Sequence, residues 1–352
     1  MDRLIPQEWF INQPQWLLIL ICIVALAALI KGADLLVSGV AGIAYRARVS
    51  KIVVAATVLS LGTTSPETAV SVTAAWSGAA GLALGNAVGS YICNVALIFG
   101  LGAVLTALPA DRYVLQRQGI WHFGSAALLA AICALIYATM PADPVLGRWA
   151  GVLLLTLLAG YISLSIYWGR RHAENEPFVD RVEQVVPVHP RLSILLLLSL
   201  AGLVLVVVAS RVFVASITVL AEVHWYVPKV VVAATIVAVG TSLPELVVSL
   251  TSVYRGHGEV LVGNIIGANV LNILWVTGAS AVAAPLPLIE TAGHVRYPLM
   301  FLWLHVPAMM LIAVVFGAYI LASTGRRRFR RWYGWPLLAI YLVYVVVQIY
   351  LS

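Results

Sequence analysis

Apolar runs of 18 or more residues recur along this whole chain, and they limit its folds more than any other feature. A run of that length with few charges reads as a bilayer-spanning helix. The roughly 10-residue alternating segments of a membrane barrel are absent. The chain is 62% hydrophobic and 10% charged, against about half and a quarter in soluble domains. The expected fold class is therefore an all-α polytopic membrane protein. Ten spans are read at about 15–45, 50–76, 80–107, 113–139, 145–169, 191–221, 228–253, 259–284, 297–322 and 333–351. The first and sixth, near 30 residues, exceed a bilayer core of ~30 Å at 1.5 Å per residue, so they must tilt or protrude.

Two stretches at an offset of 178 residues stand out inside those runs. Lys51-Ile-Val-Val-Ala-Ala-Thr57-Val-Leu-Ser-Leu-Gly62-Thr-Thr-Ser-Pro66-Glu67 and Lys229-Val-Val-Val-Ala-Ala-Thr235-Ile-Val-Ala-Val-Gly240-Thr-Ser-Leu-Pro244-Glu245 agree at ten of 17 positions. Each is followed by a G-N-x-x-G-x-x-x-x-N segment, Gly85 to Asn94 and Gly263 to Asn272, with 27 residues from Glu to the last Asn in both.

The basic residues alternate between the loops. Fifteen lie on one side (Arg46, Arg48, Lys51, Arg112, Arg117, Arg170, Arg171, Arg181, Arg191, Arg255, Arg326, Arg327, Arg328, Arg330, Arg331) and four on the other (Arg3, Arg148, Lys229, Arg296). The positive-inside rule then puts both termini outside and the 170–190 loop in the cytoplasm. The net charge of +7 is thus a topology signal and not a nucleic-acid footprint. The Arg326–Arg331 run is expected to anchor that topology, with anionic lipid headgroups as the alternative role. The N-terminus lacks a signal-peptide layout, since Asp2 and Glu8 offset Arg3 and the first apolar run is too long. The expected organisation is a five-helix repeat over 1–169 (motif 57–102), a connecting loop at 170–190 and a second repeat over 191–352 (motif 235–280). Five is odd, so the second half enters the membrane from the opposite side and the repeats are inverted. The localisation read from this is an integral membrane protein, with no oligomer required.

A proline inside a helix removes a backbone hydrogen bond and displaces a carbonyl. Irregular backbone at membrane depth is tolerated only where it lines a buried or hydrated cavity. Adding a carboxylate makes that cavity an oxygen-lined cation site. Hard cations such as Ca2+ take about 6–8 oxygens. Glu67, Glu245, Thr63, Thr64, Thr241, Ser242 and freed carbonyls near Ser60 and Ala238 are the candidate donors. Soft-metal Cys/His ligands are missing from these stretches. An ionisable residue at mid-membrane costs about 2.5–3.5 kcal/mol, so two kept without a function are hard to account for. Ser90, Asn94 and Asn272 are further lining candidates. Each last Asn lies nine residues past its Gly, two and a half α-helical turns, so a break or a second lining face is needed to bring it to the site. Asn86 and Asn264 either cross-link broken helices or bind the ion. The glycines Gly85, Gly89, Gly263 and Gly267 are read as close helix packing.

Other intramembrane charges have structural readings. Lys31 and Asp34 are three apart and can pair, while Arg211 is expected to snorkel or to partner an acid elsewhere. His122 and His305 are read as interfacial or packing residues. Cys22, Cys93 and Cys133 are read as buried small residues without metal or disulfide spacing.

The paired segments resemble the alpha repeats of the calcium/cation antiporter superfamily, whose best-known members are sodium/calcium exchangers. The ten-span layout without a large regulatory loop looks like the prokaryotic branch of that superfamily. The resemblance implies exchange of Ca2+ for Na+, with both ions bound as substrates, no cofactor, and a prokaryotic plasma (inner) membrane as the location. It implies that Glu67 and Glu245 share the Ca2+, that Thr63/Thr64 and Thr241/Ser242 coordinate ions, and that spans 1 and 6 slide across the other eight. Two positions depart from the pattern: Asn272 stands where some exchangers carry Asp, and Ala268 stands opposite Ser90. Ca2+/H+ exchange and a passive cation channel remain alternatives. A membrane enzyme is disfavoured, because H-E-x-x-H and G-x-S-x-G are both missing.

Overall fold

The computed structural model describes residues 7–47, 51–175, 191–225, 238–292, 295–297, 301–325 and 327–351. The described chain is helical apart from two short strand pairs and the connections. The short α1 (Gln7–Ile11) precedes the 33-residue α2 (Gln15–Ala47). Then α3 (Lys51–Val54), a π-helical stretch Ala55–Leu59 and α4 (Ser60–Thr63) lead into α5 (Ser65–Trp76). A second rod joins α6 (Ala80–Ile92), a π-helical stretch Cys93–Phe99 and α7 (Gly100–Leu105). The long helices α8 (Arg112–Thr139), α9 (Arg148–Asn175) and α10 (Leu192–Val219) follow. The second half continues as α11 (Ala238–Thr241), α12 (Leu243–Tyr254), and a rod of α13 (Gly258–Leu271), π-helical Asn272–Thr277 and α14 (Gly278–Ala283). It ends with α15 (Val306–Thr324) and α16 (Gly334–Leu351).

Among the described residues eight helices are long and apolar enough to cross a membrane, where ten spans were expected. The other two expected spans, 50–76 and 228–253, are those carrying the Gly…Pro-Glu motif. The first is broken at Thr64 (φ −82°, ψ −4°), which divides it into Ile52–Thr63 and Ser65–Trp76. The second lies outside the described residues up to Val237, and its described part breaks at Ser242 (φ −90°, ψ 12°). Pro66 and Pro244 sit in the first turn after each break. They have no N–H to extend the preceding helix but fit the start of a new one. The connecting loop from 176 to 190 also lies outside the described residues.

The two rods that carry the Gly-Asn segments form the centre. The span Gly258–Ala283 is almost wholly buried, whereas most of α10 is not. Gly263 and Gly267 let α13 approach the first broken helix: a Cβ on Gly267 would lie 2.5 Å from the Ala56 Cα, and one on Gly263 would meet the Ile52 backbone. Both therefore serve close packing, as expected, but a Cβ on Gly85 or Gly89 would meet nothing within 4 Å, so the close-packing expectation fails for those two. The two halves repeat each other in detail. Gly78 and Gly256, 178 residues apart, take φ of +80° and +76°. Each closes its helix with a six-residue return bond, Ala79 N–H to Ala74 O at 2.9 Å and His257 N–H to Ser252 O at 2.7 Å. Glycine adopts that backbone at little cost. Strand β1 (Val145–Leu146) pairs antiparallel with β2 (Leu286–Pro287), and Pro109 bridges Arg328. Pro109 and Pro287 are again 178 apart, so the loop ahead of α9 closes the end of the second rod and the loop ahead of α16 closes the end of the first. A separate hairpin joins β3 (Glu290–Ala292) to β4 (Val295–Tyr297).

The long helices α2 and α10 pack along each other at the edge of this centre. A Cβ on Gly202 would lie 2.5 Å from the Leu36 N, and one on Gly32 would lie 3.0 Å from the Val206 N. At 1.5 Å per residue α2 is about 50 Å long, well over the bilayer core. The contact of the pair with the centre is aliphatic: Leu29, Leu36, Val37 and Val40 meet Val54, Leu59, Val248 and Val260. Gly62 and Gly240, just ahead of the two breaks, lie against Leu203 and Val214 of α10.

Candidate cation site

Each break starts a 12-residue helix whose first turn holds a carboxylate, Glu67 in α5 and Glu245 in α12. The unpaired N–H groups and the dipole of a helix N-terminus favour an anion there. Both carboxylates are 1% exposed. Glu245 faces Thr63, Thr64 and Glu67 across the two halves, and Thr64 Oγ1 donates to Glu245 Oε1 at 3.4 Å. Two buried carboxylates facing each other repel unless a cation or a proton lies between them.

The π-helical stretches supply the break that the Asn spacing requires. A π turn inserts one extra residue into an α-helix and shifts the face that follows. Cys93–Phe99 and Asn272–Thr277 begin at or beside Asn94 and Asn272. The stretch holding Asn272 packs against α5, the helix of Glu67, and the stretch holding Asn94 packs against α12, the helix of Glu245. The two rods thus cross-dress the carboxylates of opposite halves.

Six buried oxygens of the candidate set have no hydrogen-bond partner among the described residues: Glu67 Oε2, Glu245 Oε2, Ser90 Oγ, Asn94 Oδ1, Ser242 Oγ and Asn272 Oδ1. A buried polar atom without a protein partner is costly, and a water or an ion would relieve it. Six oxygens, two of them anionic, match the lower end of Ca2+ coordination. Among the described residues no cluster of three or more His, Cys, Asp or Glu is present, so the donor set is hydroxyl, amide and two carboxylates. Hard cations suit such a set.

The remaining candidates divide. Thr63 is buried, and its hydroxyl donates to the Ser60 carbonyl at 3.4 Å. That carbonyl also accepts the Thr64 N–H at 2.9 Å, so it has a lone pair to offer an ion only if the Thr63 hydroxyl turns away. The Ser60 hydroxyl is used elsewhere, its one proton donated to Ala55 O at 2.7 Å, with Asn264 O at 3.1 Å as the alternative acceptor. Thr241 ends α11 half-buried, and Ala238 is the first described residue of the same helix. Asn86 and Asn264 act as cross-links. Asn86 Nδ2 donates to Ser71 Oγ at 2.9 Å and to the Glu67 carbonyl at 3.3 Å. Asn264 Nδ2 donates to Ser249 Oγ at 3.3 Å. Ser71 and Ser249 are themselves 178 apart, so the duplication held a signal for them that the motif comparison stopped short of. Lys31 does approach Asp34, at 4.0 Å, but Arg255 is the closer cation. His122 and His305 are packed inside, bonded to Tyr91 Oη at 2.8 Å and Tyr344 Oη at 2.6 Å.

Known proteins resemble this chain in sequence and fold. The sodium/calcium exchanger protein family model matches residues 17–167 and 194–350. Sodium/calcium exchanger MaX1 of Methanosarcina acetivorans is 30% identical, covering 94% of this chain and 98% of that protein. Inner membrane protein YrbG of Escherichia coli is 32% identical over 75% of this chain and 79% of its own length. Among solved structures, the sodium-calcium exchanger NCX_Mj soaked with 100 mM Na+ and 10 mM Sr2+ superposes with a TM-score of 0.77 at 27% identity, over 95% of this chain and 99% of that one.

Proposed function

Since the chain belongs to the sodium/calcium exchanger protein family, we propose that it exchanges Ca2+ for Na+ by alternating access through one site between Glu67 and Glu245. The observation that carries this reading is a set of six buried, unpartnered oxygens, two from the carboxylates of opposite halves and four from neighbouring hydroxyls and amides of the candidate set. Two carboxylates neutralise one Ca2+. Na+, a smaller charge on the same oxygens, competes for them, and exclusive occupancy couples the two fluxes.

In this reading the architecture is ten spans in two inverted five-helix repeats, and the recurrence of caps, breaks and cross-links at an offset of 178 supports it. Glu67, Glu245, Thr63, Thr64, Thr241, Ser242, Ser90, Asn94 and Asn272, with the carbonyls of Ser60 and Ala238, form the site. A loaded site screens the carboxylates and lets α2 and α10 pass over it along their aliphatic contact. An empty site leaves two anions facing the apolar helices, which opposes the passage. Both termini lie outside, on the loop-charge argument.

The test is 45Ca2+ uptake by proteoliposomes under imposed Na+, K+ or H+ gradients, one at a time. Uptake driven by an outward Na+ gradient alone is expected. Uptake that persists without Na+ and follows a pH gradient overturns Na+ coupling in favour of H+ exchange. Uptake that needs no counter-ion overturns the antiporter reading in favour of a channel.

A further inference from the structure

We infer that Asn269 is a positioning residue that holds the Asn94 side chain with its oxygen, and not its nitrogen, toward the ion. This rests on the proposed reading of Asn94 as a ligand. A primary amide has two ends of opposite character and nearly equal shape, and only its partners set which end faces which way. Asn94 Nδ2 donates to Asn269 Oδ1 at 3.0 Å, and Asn269 Nδ2 donates to the Tyr91 carbonyl at 3.3 Å. Asn94 and Asn269 are 1% and 0% exposed.

The chain of reasoning starts at the one group that cannot turn over. A backbone carbonyl only accepts, so Asn269 must present its NH2 to Tyr91. Its oxygen then faces Asn94, which must present its own NH2 there. The Asn94 oxygen is left on the other side, where it has no partner among the described residues. Reversing Asn94 would set its oxygen against the Asn269 oxygen at hydrogen-bond distance and would put a donor in front of a cation.

The second half lacks this device. The residue 178 positions before Asn269 is Tyr91, whose hydroxyl is already bonded to His122 at 2.8 Å and whose ring stacks on that imidazole at 4.9 Å. The amide orientation is therefore enforced at Asn94 by a relay that has no repeat-related counterpart at Asn272. Asn94 is the ligand whose oxygen is committed before the ion arrives.

The test uses the full-length protein in proteoliposomes, reading the Ca2+ KM and maximal rate of Na+-driven uptake for Asn94→Ala, Asn269→Leu and the double variant. Asn269→Leu is expected to raise KM about tenfold, the scale of losing a partner that orients a metal ligand, with the maximal rate held within about twofold. The double variant is expected to match Asn94→Ala alone, because a relay has nothing to act on once its target is gone. Independent costs that multiply in the double variant, or an unchanged KM in Asn269→Leu, overturn the relay. An unchanged KM in Asn94→Ala overturns the ligand reading and the relay with it. Should Asn269→Leu fail to assemble, Asn269→Ser is compared with Asn269→Ala. A serine hydroxyl adds no charge and can accept from Asn94 while donating to the Tyr91 carbonyl, so it should raise KM less than Ala does; equal losses in both overturn the inference.

Discussion

Asp34, midway along α2, is ion-paired with Arg255 at the end of α12. The pair ties the long peripheral helix to the helix that begins with Glu245. The positions related to these two by the 178-residue offset are Val212 and Ser77, which cannot form an ion pair. The tie therefore has no twin on the other half and favours one placement of α2 against the centre over its mirror placement.

Arg255→Gln should loosen that tie. The two side chains are 52% and 20% exposed, so the pair contributes less than about 1 kcal/mol after solvent screening. The expected outcome is an exchange rate changed by up to about fivefold with the Ca2+ KM unchanged, read from initial rates in oriented vesicles. A changed KM with an unchanged rate would contradict a tie between moving parts.

Glu67→Gln and Glu245→Gln should each reduce Na+-driven Ca2+ uptake by about a hundredfold or more, the scale of removing one partner from a buried charge contact. The same variants should unfold no earlier than the parent protein without Ca2+, because each removes a buried like-charge contact. They should also lose the rise in melting temperature that Ca2+ gives the parent by binding only the folded state. Near-normal transport in both would sink the site.

Asn86→Leu and Asn264→Leu should lower stability. Each leaves a serine hydroxyl, Ser71 or Ser249, without its amide donor. A loss of about 1–3 kcal/mol is expected for each, measured by denaturation in detergent without ions. Asn86→Leu should in addition weaken Ca2+ affinity, since Asn86 also holds the Glu67 carbonyl. Asn264, with no such bond to Glu245 among the described residues, should affect affinity less.

Gly267→Ala should strain the centre. The added Cβ would come within 2.5 Å of the Ser60 Oγ and of the Ala56 Cα, and would press on the Ala56 carbonyl. Backbone cannot move aside as a flexible side chain can, so a cost of about 1–3 kcal/mol is expected. Thermal unfolding of the purified variant checks it; an unchanged melting temperature would mean that the rod and the broken helix do not pack this closely.

The helical membrane class, the broken helices and the two carboxylates are all legible in the sequence, for a common reason. Run length, the missing N–H of Pro66 and Pro244, and the cost of Glu67 and Glu245 at membrane depth are local properties of the chain. Duplication turns each from a suggestion into a pattern, because Gly78 and Gly256 or Ser71 and Ser249 do the same thing twice. The nine-residue spacing to Asn94 and Asn272 also shows that a plain α-helix fails there, though it does not say that a π turn is the remedy.

Partners across the fold are not local, and there the sequence runs out. Asp34 has Lys31 three residues away, yet its close partner is Arg255, brought in by the packing of α12 on α2. Asn269 looks like any buried amide, and its place is taken by Tyr91 in the other half, so the duplication hides it. What the sequence by itself determined is which residues cannot be left alone in a membrane: two carboxylates, two breaks and the oxygens near them. Only the tertiary structure decided which way those oxygens face. An amide or hydroxyl turns toward whatever donor or acceptor lies within about 3 Å, and for Asn94 that group comes from 175 residues along the chain.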